Sequence, residues 1–109
     1  MGDREATSYE AVAHELLADP AVYAGMMFGH RCLKIGRKMF ACDLDGELLT
    51  KLPLERIEEL KRAGAHDFEP MGGRKMNGWV LVPEPDDDDV VRVWTALAEE
   101  AKAFVAGAG

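Results

Sequence analysis

Two cysteines and three histidines carry the nucleophilic and metal-binding potential of this chain. Cys32 with His66 as its base would make a thiolate nucleophile, and Arg74 would add a planar fork for a carboxylate or phosphate. Cys32, His66 and Arg74 are therefore the candidate ligand or catalytic set. His30 and Cys32, two apart, share one face of a strand and offer two metal ligands. No CxxC pair or HxxxH helix completes a tetrahedral set, so no metal site is expected. Two cysteines in a chain of this kind read as reduced, packed thiols, and no catalytic residue and no cofactor is assigned.

Gly72-Gly73-Arg74-Lys75 is the segment with the chemistry for anion capture, since glycines let backbone amides converge while Arg74 supplies the charge. It follows no GxxxxGK[ST] pattern and leads into a strand rather than a helix, so a loop without the P-loop dipole is expected. Asp86 to Asp89 lack the alternating ligands, turn glycine and distal glutamate of a calcium loop. They read as a helix cap that favours the macrodipole. Arg31, Lys34, Arg37, Lys38, Arg74 and Lys75 would make a nucleic-acid surface only if the fold gathered them on one face.

Charge argues against that use. Thirteen Lys and Arg stand against 20 Asp and Glu, a net charge of −7. Phosphate neutralisation by basic side chains supplies most non-specific nucleic-acid affinity, so tight nucleic-acid binding by the chain alone is not expected. The apolar share of 48% and charged share of 30% are those of a globular domain. A single domain over residues 1–109 is expected, ordered from about 7 to 105. No uncharged run is long enough to span a bilayer, and the charged start is unlike a secretory signal, which places the chain in the cytoplasm.

Those residues need elements to hold them. Thr7-Ser8-Tyr9-Glu10 is a capping box, and Tyr9, Val12, Ala13, Leu16 and Leu17 form one apolar stripe, which predicts a helix over 8–18. Met26 to Phe28 opens a sheet. Gly36-Arg37 and Asp45-Gly46 mark two hairpins between strands at 31–35, 38–44 and 47–52. Pro53 starts a helix over 53–63 that Gly64 ends, 65–75 is a loop, and Met76 to Val82 is a last strand. Asp86 caps a third helix to about 105, with the Gly/Ala tail fraying beyond it. The order α-β-β-β-β-α-β-α predicts an α+β fold, an antiparallel sheet of about five strands flanked by three helices. The sheet should bury Phe28, Leu33, Ile35, Phe40, Leu49 and Trp79 beneath the helices, joined by Trp94. A Gly36-Arg37 turn sets Cys32 opposite Ala41, so Cys42 should point to the other face and no disulfide should form.

The segment from Met26 to Pro83 also carries a family pattern: Met27-Phe28-Gly29, Cys32-Leu33-Lys34, Lys38-Met39-Phe40-Ala41, Lys51, Gly64-Ala65-His66, Gly73-Arg74, Met76 and Trp79 before Val82-Pro83. In these residues and their order the chain resembles the N-terminal domain of the TfoX/Sxy competence regulators. The resemblance implies the same α+β layout. It also implies a small non-catalytic regulatory module that acts through a protein partner, as transcriptional co-activators do. Lys75 stands where relatives of this short type often place another residue, and Asn77-Gly78 ahead of Trp79 departs from the approach usual in the longer regulators.

Loops carry binding sites on rigid scaffolds, so the expected contact residues are Arg37, Lys38, Gly72, Gly73, Arg74 and Lys75, which hold most of the basic charge of the middle of the chain. A protein partner is expected, a homodimer is allowed, and no membrane contact is expected.

Overall fold

The computed structural model describes residues 8–69, 76–85 and 89–108. The Thr7 cap, the Gly72–Lys75 segment and the Asp86 cap lie outside the described residues. The order is α1 (Ser8–Leu16), β1 (Val22–Met27), β2 (His30–Ile35), β3 (Lys38–Leu44), β4 (Glu47–Lys51), α2 (Leu54–Arg62), β5 (His66–Asp67), β6 (Trp79–Val82) and α3 (Val90–Ala108). The strands form one antiparallel sheet in the order β1-β2-β3-β4-β6-β5. This is the expected α+β architecture. No described helix is long and apolar enough to cross a membrane.

Three hairpins build the first four strands. Asp45-Gly46 has φ of 54° and 89°, the doubly positive pair that a type I′ turn requires. Gly36 takes φ 63° at the β2–β3 turn. The third hairpin corrects the expected start of the sheet: β1 runs from Val22, and Phe28-Gly29, at φ 50° and 83°, is the turn that returns the chain into β2. A Phe in left-handed backbone is uncommon, so this turn carried no composition signal. β5 was likewise expected as loop; its two residues pair with Val80 and Leu81.

α2 ends where Gly64 was expected to end it. The Ala65 amide donates to the Leu60 carbonyl at 2.9 Å and the Gly64 amide to Lys61 at 3.2 Å, with Gly64 at φ 118°. That is the Schellman pattern, and it satisfies two otherwise unpaired carbonyls. α3 continues through Ala108, past the expected fray point at 105.

Strand alternation gives the sheet two faces. One holds Leu33, Ala41, Leu48, Val80 and Val82, which pack with Phe40 against Tyr9, Val12 and Leu16 of α1 and Trp94, Leu97, Ala98 and Ala101 of α3. The opposite face gathers Cys32, Cys42, Leu49 and Trp79, with Met27, Met39, Leu44, Phe68 and Leu81 around them and no helix residue in the cluster. Leu49 and Trp79 are thus buried on the face away from α1 and α3, not beneath them as expected. Phe28, also expected in the core, is 89% exposed.

A bulge explains the largest register error. β2 and β3 pair Ile35 with Lys38 and Lys34 with Met39, then shift so that Leu33 faces Ala41 and Cys32 faces Cys42. Phe40 is the extra residue, side chain fully buried, and its carbonyl accepts a 2.9 Å hydrogen bond from the buried Thr50 hydroxyl. The core gains a large aromatic while the bulged carbonyl keeps a partner. Cys42 is therefore opposite Cys32 on one face, contrary to the expected facing, and both thiols are free.

Candidate functional site

The expected sites divide among separate regions. Cys32 is buried on β2 and His66 sits on β5, where its Nε2 lies 2.8 Å from Glu47. Both lie on the same sheet face, but β2 and β5 are four strands apart, roughly 19 Å at about 4.8 Å per strand. Cys32 and His66 are therefore not brought together, and Arg74 lies outside the described residues. Burial, then the neighbouring Cys32 thiol, pushes the Cys42 thiol far above its ordinary pKa, the reverse of what a nucleophile needs. Among the described residues no group of three His, Cys, Asp or Glu side chains is placed to hold a metal ion.

The basic residues are also dispersed. Arg31 projects to the helix-covered face, where Nη1 donates to Glu10 at 2.6 Å and Nη2 to Asp43 at 2.7 Å, while its guanidinium lies 5.3 Å from the Tyr9 ring centre. These bonds, that to Asp43 first, raise the Arg31 pKa and tie α1 to β3. Lys34 alternates to the opposite face. Lys38 Nζ reaches the Val105 carbonyl at 3.4 Å, one of the last four carbonyls of α3, a position where a cation also complements the helix dipole. Of the expected contact residues inside the described segments, Arg37 and Lys38 are both exposed, and neither makes an ion pair with a described residue. Arg31 and Lys34 do not share a face, and Arg74 and Lys75 lie outside the described residues.

A different surface stands out. β1, the sequence Val22-Tyr23-Ala24-Gly25-Met26-Met27, is an edge strand with no charged residue and no proline. The other edge, β5, is two residues long. Proteins guard long edges with charge, proline, bulges or a covering segment, because unpaired backbone groups there recruit another strand. β1 shows neither charge nor proline, and its six residues pair with β2 in unbroken register.

Large apolar side chains gather at the same edge: Met26 is 64% exposed, Phe28 89%, Tyr23 46% and Leu17 41%. Beside them, between α1 and β1–β2, runs an apolar groove of about 460 Å3, lined by Tyr9, Ala13, Leu17, Ala24, Met26 and Leu33 among others. The Tyr23 hydroxyl donates to the Gly36 carbonyl, which holds that ring against the far end of the edge. Tyr9 is 4% exposed, and burial first, then the nearby Cys42 and Cys32, raises its hydroxyl pKa; the hydroxyl has no hydrogen-bond partner among the described residues.

Sequence reasoning missed this surface. Its signal was present as the uncharged run Pro20 to Gly29, the stretch taken for a connector and the first residues of a strand. Comparison with curated proteins and with solved structures returns no match. The TfoX N-terminal domain family model matches residues 15–102, from the last turn of α1 to within α3, and the chain belongs to that family.

Proposed function

We propose that this chain is a non-catalytic protein-binding module whose working surface is the β1 edge with the groove beside it. The observation that supports it is the unguarded edge strand: six uncharged residues, Met26 among them, followed by Phe28, both with most of their surface in water. Such an edge offers backbone hydrogen bonds for affinity and side-chain pockets for specificity, the two parts of recognition by strand addition. The wide separation of Cys32 from His66 and the raised pKa of Cys42 favour binding over catalysis. Membership of the TfoX N-terminal domain family favours a regulatory output, exerted through contact with another protein.

Photocrosslinking tests the surface directly. A photoreactive amino acid at position 26 or 28 should yield a crosslinked protein species in cells expressing the chain, whereas one at position 45, on the β3–β4 turn, should not. Equal yields from all three positions, or none from 26 and 28, would show that the edge is not the working surface.

A further inference from the structure

We infer that the occupant of the β1 edge is a second copy of this chain, paired antiparallel through β1 about a two-fold axis. The inference rests on the reading of that edge as a protein-binding surface and goes beyond it by naming the partner. A two-fold contact demands a patch that is its own complement, carrying both projection and recess. This edge carries both: Met26 and Phe28 project, and Met26 also lines the groove beneath α1. A peptide partner would need the recess but would leave the projecting side chains without a role.

Strand geometry supports the pairing. Antiparallel residues directly opposite each other lie on the same face, so the two sheets would join into one of twelve strands with both α1 helices on a common side. Met26, on the helix-covered face, then fills the space between the α1 helices together with Leu17. Tyr23, on the opposite face, stays bonded to the Gly36 carbonyl and leaves the seam on that face to backbone pairing. No charged side chain lies on either paired strand, so no like charges face each other there.

The area suffices. Phe28 is 89% exposed, Met26 64% and Leu17 41%, and covering what they expose together with the strand backbone of two copies reaches about 1,000 Å2, the lower bound of a specific interface. The expected association is therefore measurable but moderate, a dimer that dissociates on dilution.

Sedimentation velocity of the purified chain over a wide concentration range should show a monomer–dimer equilibrium. Hydrogen exchange should show β1 amides gaining protection as the dimer fills. Met26→Lys, which installs a guarding charge on the edge, should weaken association roughly 100-fold with an unchanged circular dichroism spectrum. Phe28→Asp is a second variant with the same expectation. A chain that stays monomeric at every concentration, or a dimer that both substitutions leave intact, overturns the inference. If positions 26 and 28 crosslink only to a different protein, the dimer is wrong while the protein-binding reading stands. If they crosslink to nothing, both fall.

Discussion

At the scale of single residues, the paired thiols and the Asp19–Lys102 contact each carry a testable consequence. Cys32 and Cys42 are 1% and 0% exposed, and burial holds the Cys42 thiol in its protonated form. Both side chains are shielded from a disulfide reagent, and Cys42 in addition resists forming the attacking thiolate, so both cysteines should be inert in the native protein and react fully once denaturant is added. Rapid native reaction of either would show that this sheet face is open. Lys102 Nζ donates to Asp19 at 2.9 Å and ties α3 to the segment after α1. That bond, followed by the Ala21 amide, holds the Asp19 carboxyl below its usual range. With the folded pKa below the unfolded one, its contribution is complete at neutral pH and is lost as pH falls through the folded value, on the acid side of about 4. The same bond raises the Lys102 pKa, a contribution lost as pH rises through the folded value, so Asp19→Asn should flatten the acid limb of a stability-versus-pH curve and also soften its alkaline limb.

At the scale of elements, α3 and the Phe28-Gly29 turn behave oppositely. Trp94 on α3 is 1% exposed within the helix-covered core. Trp94→Ala should cost about 3–5 kcal/mol, read as a lower denaturant midpoint, and an unchanged midpoint would remove α3 from the core. Phe28 sits at φ 50° with its ring in water, a left-handed conformation that costs a non-glycine residue roughly 1–2 kcal/mol. Phe28→Gly should recover about 1 kcal/mol of monomer stability while weakening self-association, and loss on both measures would show the ring to be structural.

The same contrast explains what was legible in the sequence. Asp45-Gly46, Gly36, the α2 stripe and Gly64 announce themselves because one residue type answers one backbone demand. The Phe28 turn and the Phe40 bulge do not, since each uses an aromatic where local propensity predicts none. An unread one-residue bulge reverses every facing beyond it, which is why the Cys32–Cys42 relation came out inverted. The edge surface was hidden for a related reason: an uncharged run reads equally as buried strand or connector until the strand order shows that nothing described lies beyond it.

At the scale of the whole molecule, charge and the apolar edge pull in opposite directions. Each copy carries a net −7, while β1 carries no charge at all. Two copies meeting at β1 therefore gain apolar burial at the seam and pay long-range repulsion across the rest of their surfaces. Salt screens that repulsion, with a screening length of about 10 Å at 0.1 M, and leaves apolar burial intact or slightly strengthened. Self-association should accordingly tighten several-fold as ionic strength rises from about 0.02 M to about 0.5 M. Docking of an acidic partner on the Arg37 tip would give the opposite slope, because screening would remove its attraction. Sedimentation velocity at fixed protein concentration across that salt series separates the two. A dimer that loosens with added salt would move the contact from the β1 edge to a charged surface.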